Sequence, residues 1–450
     1  MEKQQLVYPA AWQAEGGLRH ILQLAWPMIL TAVVVSLSQN GQLWILGTQD
    51  NGQQALYTLS MLQPFYFIFI ALLEGLTITN QIFSARSVSN WAPRKVINST
   101  ALFSLAGTLF LLLFALTSWA GASWLQNVYP GDEPALFSTI LPAYMLSVIP
   151  LLLLELCNAG LRGQGKTALS MVFVAAFILI NLSSCYISLH LYHNGFTAVI
   201  YANLIATLAV LPFAVLALLK TVPKGEDPQP RAFMPRLMAI TADAGVPIFL
   251  TMLLAFASSA VLFPLLSKMG TAWASGFLIV VKLRTFFIIP AVALGSAIAI
   301  CINQKLATCS PQQLNRLLRV GMYSIALIYL CLTLAAFLSQ NQLINLMATS
   351  SEVRVSAYLL MSWLIPTFFI TSLIASIQTI LEQLGRGKRV LLITLAMESL
   401  MVATVLFIAR QPDALLLLMK SILLFNVFYL LVFAYEYWLL CSRVGKAHVV

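Results

Sequence analysis

Pro27-Met-Ile-Leu-Thr31, just inside the first long apolar run, returns as Pro247-Ile-Phe-Leu-Thr251, an offset of 220 residues. The same offset carries Gly75 onto Gly295. Ala143-Tyr-Met-Leu146 is echoed by Ala357-Tyr-Leu-Leu360, and Gly163-Gln-Gly165-Lys166 by Gly385-Arg-Gly387-Lys388, now at an offset of 222. Each echo is short, but four in the same order describe a chain built twice. Between the copies lies KTVPKGEDPQPRAF, residues 220–233, with three prolines and five charges; it is the longest strongly polar stretch.

The composition says where such a repeat lives. Of 450 residues 60% are hydrophobic and 9% charged, and the mean hydropathy is +0.88. A soluble domain carries about 25% charged residues; this chain could not cover a water-facing surface, so it reads as a polytopic membrane protein. A helix needs about 20 apolar residues to cross the hydrocarbon core. That length criterion yields twelve spans, near 20–46, 55–84, 96–121, 135–158, 167–190, 196–219, 236–266, 273–304, 315–338, 352–381, 388–409 and 414–441. The first is read as a retained span, since it runs on past the length of a cleavable leader. Interior prolines at 27, 64, 150, 247, 290 and 366 predict kinks.

With the N-terminus inside, 19 of the 25 lysines and arginines fall on the inner side, and only Lys268, Arg354 and Arg410 fall on the outer side. This asymmetry predicts a plasma or inner membrane protein with both termini cytoplasmic. It also accounts for the net charge of +10 without a nucleic-acid partner, because the basic residues are scattered between apolar runs. The predicted fold is an all-α membrane protein with two six-helix lobes: residues 1–219, a loop at 220–234, and residues 235–450. Six spans per copy preserve orientation, so the lobes should be related by a pseudo-twofold axis along the membrane normal, as in carriers that hold substrate between lobes.

Soluble chemistry is poorly served. The six cysteines and four histidines show no metal-ligand spacing, and no cofactor is expected. Gly160–Thr167 satisfies the P-loop pattern, but it follows LLLLELCN, joins two membrane spans and has no strand-borne aspartate after it. It is read as a tight turn anchored by basic residues. A membrane prenyl or glycosyl transferase would need clustered aspartates, and no DxxD or DxD occurs. The protein is not expected to be an enzyme.

Charges inside spans mark function by default. Glu74 in span 2 is followed by Thr77 and Gln81 on the same helix face, and its carboxyl is a candidate proton carrier. Lys282 and Arg284 in span 8 stand two positions apart and cannot share a face; at most one should face the cavity squarely, while the other pairs with a carboxylate or snorkels to the headgroups. A cavity-facing cation there would suit a substrate with carboxylates. Ser36, Gln39 and Asn40 share one face of span 1, with Gln42 nearby, and could bond substrate or a cation. Asp243 reads as an early-turn carboxylate complementing a helix dipole. Glu155, Glu382 and Glu436 are expected to pair with local basic residues, and Glu398 with Lys420. The aromatics of Gln63-Pro64-Phe65-Tyr66-Phe67 read as packed or lipid-facing.

The whole chain resembles the multidrug and toxic compound extrusion (MATE) transporters: twelve spans, two lobes, a polar inter-lobe loop, and LRGQGKT (161–167) similar to the family's LRGxGxT element after the fourth span. The resemblance implies export of small organic compounds, often cations, in exchange for protons or sodium ions, by a monomer in the lipid bilayer. It also implies an aspartate in span 1, at the position occupied here by Gln42, whose amide can ligate a cation but cannot exchange a proton near neutral pH. Asn181 falls near the asparagine that partners that aspartate, and a basic residue at Lys282 is a family feature. Alternatives within the fold class are export of an anionic or zwitterionic metabolite, such as a carboxylate siderophore, and flipping of a lipid-linked precursor.

Overall fold

The computed structural model describes residues 14–47, 52–90, 95–128, 136–192, 195–221, 233–268, 271–347, 351–408, 411 and 414–444. The predicted loop at 222–232 lies outside the described residues, as do the side chains of Ser36, Gln39, Asn40, Gln42, Gln63 and Pro64. Every regular element among the described residues is helical. The first six crossings are α1 (Ala14–Gly47), α2 (Gly52–Asn90), α3 (Lys95–Ala120), α4 (Leu136–Gly163), α5 (Thr167–Tyr192) and α6 (Thr197–Thr221). The next six are α7 (Phe233–Ile240 continuing as Val246–Lys268), α8 (Thr271–Lys305), α9 (Pro311–Leu338), α10 (Ser351–Leu381), α11 (Gly387–Ile408) and α12 (Ala414–Val444). A short helix follows the third crossing of each copy, Ala122–Val128 and Gln340–Met347.

The faces of these helices invert the pattern of a soluble protein. On α3 a stripe of Val96, Ser99, Phe103, Gly107, Leu111 and Ala115 is buried, while Leu105, Leu109, Leu113 and Leu116 are exposed. An outer surface of leucines is what hydrocarbon requires. The prolines act unevenly. Helices α1, α8 and α10 run on through Pro27, Pro290 and Pro366. Near Pro290 the Tyr329 hydroxyl donates to the Phe287 carbonyl at 3.0 Å, an added partner where the helical ladder is weakened. The helical run of α4 breaks at Val148, just before Pro150, and a π-helical turn at Thr241–Gly245 precedes Pro247 in α7.

The P-loop-like stretch is a helix end. Gly165 has φ +83°. Its N–H donates to the Arg162 carbonyl at 2.9 Å, and the Lys166 N–H donates to the Leu161 carbonyl at 2.9 Å. This is a Schellman cap on α4, so the amides a phosphate would need are already committed to helix carbonyls. Gly385, in the matching turn of the second copy, has the same φ of +83°.

Helix pairings repeat with the sequence. Helix α2 packs on α4 as α8 does on α10, α1 on α5 as α7 on α11, α4 on α6 as α10 on α12, and α5 on α6 as α11 on α12. Between the copies α1 lies against α8, and α7 lies against α2. Exchanging the halves maps each pair onto the other, which is the twofold relation. The apolar clusters show where the copies meet. Ile21, Leu24, Ala25 and Met28 of α1 are buried among residues of α8, α9, α10 and α12. Symmetrically, Leu237, Ile240, Ala244 and Ile248 of α7 are buried among residues of α2, α3 and α4. Toward the other end the clusters keep to one copy: Ile45 and Leu46 of α1 pack with α2–α6, and Phe277 and Val280 of α8 pack with the second copy. The two lobes therefore converge at the end that carries the Gly-x-Gly-Lys turns.

Candidate transport site and the seam between the lobes

Where the lobes converge, buried amides cross between them. The Gln81 amide nitrogen of α2 donates to Ser296 Oγ of α8 at 2.8 Å and to the Gln383 amide oxygen, at the end of α10, at 3.2 Å. Gln383 in turn donates to Ser296 Oγ at 2.9 Å. The Gln81 oxygen accepts from Arg162 Nε of α4 at 3.1 Å. One turn on, Arg86 Nε donates to Asn303 Oδ1 at 2.9 Å, and Asn303 donates to the Gln383 carbonyl at 3.1 Å. Gln304 reaches back to the Gly163 carbonyl at 2.7 Å. Gln81, Ser296, Asn303 and Gln383 are all buried, so each bond replaces water that cannot reach it.

Above this layer, toward the diverging end, glycine sets the spacing. A Cβ on Gly75 would stand 2.9 Å from the Gly245 carbonyl oxygen and 3.3 Å from Phe249 Cβ, both on α7. Gly295, its counterpart, approaches Ser376 of α10 instead, within its own lobe. Two turns farther out, Phe67 of α2 stacks on Phe256 of α7, ring centroids 4.1 Å apart.

Glu74 lies between these two contacts, half-buried on α2. Its carboxylate makes no hydrogen bond or ion pair with a described residue, yet it is within electrostatic reach of Arg162 and Glu155. Glu382 of α10, across the seam, also feels its charge. Glu155 itself is held by Arg162 at 3.5 Å and by Asn158 at 3.1 Å. Glu382 is buried and accepts only a long 3.5 Å bond from Gln378. Glu74 and Glu155 thus share the Arg162 guanidinium in the first lobe, and Glu382 faces Glu74 from the second.

Each lobe also has a polar interior. In the first, Asn181 of α5 donates to Asn203 Oδ1 of α6 at 2.9 Å, both buried. In the second, Glu398 of α11 bonds Ser258 of α7 and feels Arg284 of α8. No ion pair within 4 Å joins Arg284 to Glu398 among the described residues, and the buried Arg284 Nε has no hydrogen-bond partner. Tyr429 of α12 donates to Thr394 beside them at 2.9 Å.

Both copies match the MatE family profile, over residues 27–187 and 247–407. The chain belongs to the MATE family. The matched segments begin and end 220 residues apart, the offset first seen between Pro27 and Pro247. No curated protein sequence matches the chain. Among solved structures, an aspartate-to-asparagine variant of the Vibrio cholerae MATE transporter VcmN superposes with a TM-score of 0.85 at 16% identity, covering 96% of this chain and 99% of that one. An outward-facing multidrug resistance MATE transporter gives 0.82 at 17% identity, covering 96% and 97%. A MOP superfamily transporter from Pyrococcus furiosus, described as having a binding pocket of reverse polarity, gives 0.80 at 17% identity with the same coverage. The chain is accordingly a multi-pass efflux transporter and not an enzyme, built like MATE proteins from twelve helices in two lobes.

The residues singled out from the sequence are dispersed by this fold. Glu74 is at the seam, Asn181 inside the first lobe, and Arg284 inside the second, while the Lys282 side chain is exposed. Gln39, Asn40 and Gln42 lie on α1, their side chains outside the described residues. Three expectations are corrected, the first being Glu382, which accepts from Gln378 at 3.5 Å and forms no ion pair with a basic residue among the described residues. Glu398 is near Arg284 and Ser258, not Lys420, whose side chain is exposed on α12. Asp243 does not simply complement a dipole: its carboxylate receives Lys388 of α11 at 2.8 Å. Glu155 and Glu436 do pair locally, Glu436 with Arg386 at 3.2 Å and Arg389 at 3.1 Å. The buried seam residues Ser296, Asn303 and Gln383 were missed: Ser296 is a single hydroxyl in an apolar run, and Asn303 and Gln383 sit in the polar ends of their helices, so that only pairing with residues 200 or more positions away, Gln81 and Arg86, marks them.

Proposed function

We propose that the protein exports small amphipathic organic compounds across the plasma or inner membrane in exchange for protons or sodium ions. The two lobes, residues 1–219 and 235–450, rock about their shared seam, and substrate binds between them. The observation that carries this reading is Glu74, a seam carboxylate with no hydrogen-bond or ion-pair partner among the described residues, within electrostatic reach of Arg162 and Glu155 in its own lobe and of Glu382 in the other. A cation bound there changes the charge on both sides of the plane that must open, so it interacts differently with the two conformations, which is what coupling requires. If the basic Gly-x-Gly-Lys turns are cytoplasmic, as the distribution of lysine and arginine favours, the seam closes the cytoplasmic side and the conformation is outward-open. The unit of transport is a monomer, with both termini cytoplasmic.

A second reading is favoured by Arg284. A guanidinium inside the second lobe with an unpartnered Nε, facing Glu398 across the lobe, suits a substrate carrying a carboxylate, alone or with a cationic group. Proteoliposomes under an imposed pH or sodium gradient separate the readings. Gradient-driven movement of a hydrophobic cation dye that Glu74→Gln abolishes supports cation export coupled through Glu74. Movement of a labelled polycarboxylate alone, stopped by Arg284→Ala, replaces it with anion export. Dye transport unchanged in Glu74→Gln would remove Glu74 from the coupling path.

A further inference from the structure

Away from the transport path, the second lobe gathers three arginines around one carboxylate at its converging end. Arg386 lies in the turn between α10 and α11, Arg389 in the first turn of α11, and Arg443 in the last turn of α12. Arg386 Nη1 donates to Glu436 Oε2 of α12 at 3.2 Å, and Arg389 Nη1 donates to both oxygens of the same carboxylate at 3.1 and 3.2 Å. Arg443 is within electrostatic reach of Arg386 and makes no hydrogen bond or ion pair with a described residue. Arg389 and Arg443 are exposed, and Arg386 is half-buried. Lys388, between the two arginines of the turn, is bonded to Asp243 at 2.8 Å and adds no excess charge. The cluster itself is left with two positive charges in excess, and residues 445–450 add a lysine and no acidic side chain.

The fold does not require this cluster. At the offset of 222 that relates the two turns, Arg386 and Arg389 correspond to Gln164 and Thr167, and α6, the counterpart of α12, has no acidic residue. The first copy makes its turn without them, with the same glycine φ of +83°. Next to the arginines is a lipid-facing surface. Leu392 and Leu395, one and two turns along α11 from Arg389, are exposed. So are Tyr435 and Trp438 of α12, whose rings stack with centroids 6.1 Å apart. Leucines, then interfacial aromatic rings, then guanidinium groups follow the order in which a phospholipid presents acyl chain, glycerol and phosphate. Planar guanidinium forks match phosphate oxygens. A zwitterionic headgroup brings its own cation, which an excess of arginine repels.

We infer that the Arg386–Arg389–Arg443 cluster binds the headgroup of an anionic phospholipid in the leaflet at the converging end, with its acyl chains along Leu392 and Leu395. Glu436 engages a single nitrogen of Arg386 and a single nitrogen of Arg389, so the other donors of Arg389 and all those of Arg443 serve the phosphate. The occupant ties α11 to α12 beside the turn that carries Gln383 into the seam.

Native mass spectrometry of the full-length protein, released from nanodiscs that hold phosphatidylcholine and phosphatidylglycerol in equal amounts, reads the occupant. Wild type should retain phosphatidylglycerol in preference to phosphatidylcholine. Arg389→Gln and Arg443→Gln should each lower that retention about fivefold, the effect of removing one cation from an anionic lipid surface. Arg443→Gln breaks no bond to a described residue, and an unchanged unfolding midpoint in phosphatidylcholine verifies that its fold is kept. Arg316→Gln, which removes an exposed charge of α9 outside the cluster, should retain the lipid as wild type does. Equal retention of the two lipids, or retention kept by both cluster variants, overturns the site. The same loss in Arg316→Gln overturns it too, in favour of a general attraction to charge. An unfolding midpoint raised by inorganic phosphate in phosphatidylcholine alone, and not in Arg443→Gln, overturns the lipid in favour of a free ion. These readouts measure binding, so they stand or fall separately from transport.

Discussion

Gln81 ties the seam together: its amide nitrogen serves Ser296 and Gln383 of the other lobe while its oxygen accepts from Arg162 of its own. Replacing it with leucine of similar size leaves those partners buried and short of bonds, at a cost of about 1–3 kcal/mol to the closed state. Spin labels at the converging ends of α2 and α8 should report a broadened, longer distance in Gln81→Leu than in wild type; an unchanged distribution would show that apolar packing alone closes the seam. Gly75→Val tests the backbone approach. The added Cβ meets the carbonyl oxygen of Gly245 at 2.9 Å, and no rotamer relieves it, so the lobes must part and transport should fall at least tenfold. At this scale the sequence was informative where a residue is costly by itself. Glu74 stood out because a carboxylate in a membrane helix needs a reason. The pairing of Glu398 did not, since composition offers several cations and only helix packing decides that Arg284, not Lys420, is near.

The helices were legible nearly to their ends, because twenty apolar residues and a polar break are an unambiguous signal. The irregular pieces were less so. Pro150 was expected to kink the fourth span, and the helical run breaks at Val148. The π-helical turn at Leu136–Ile140 carries no sequence mark of comparable strength, whereas the break at Leu384 and Gly385 falls on the second Gly-x-Gly-Lys stretch. The turn at 161–167 was read as a turn and not as a phosphate loop, and the Schellman bonds commit the Gly165 and Lys166 amides to helix carbonyls. Gly165→Ala forces a side chain into φ +83°, which should cost about 1–2 kcal/mol. The check is a lowered unfolding midpoint with gradient-driven transport kept in the surviving protein. Full stability in that variant would mean that the turn relaxes to another geometry.

The whole molecule follows from duplication. Four short echoes predicted two lobes, and the pairings α1 with α8 and α2 with α7 give the twofold relation a physical form. What the repeat could not supply was the difference between the copies: Gly75 meets the opposite lobe, whereas Gly295 meets its own. If transport needs the lobes to separate at the converging end, a tether there must stop it. In a background without Cys157, Cys185, Cys301, Cys309, Cys331 and Cys441, Arg86→Cys and Asn303→Cys bridged by a short cleavable thiol reagent should abolish transport, and cleavage should restore it. Continued turnover by the bridged protein would show that the seam stays closed through the cycle.

If the lobes rock as proposed, the close approach of Gly75 to Gly245 is a fulcrum with unequal arms. From Gly75 to the start of α2 at Gly52 the helix rises about 35 Å, and from Gly75 to Arg86 about 16 Å. A tilt of about 10° then swings the far tip by about 6 Å and moves the near one by about 3 Å. About 3 Å added to the 2.9 Å bond from Arg86 to Asn303 breaks it, and the shift of about 1.6 Å at Gln81, about 9 Å from the fulcrum, stretches its bonds of 2.8 and 3.2 Å past hydrogen-bonding distance. A modest rotation therefore releases the short arm all at once, while the long arm sweeps a gap wide enough for a small molecule.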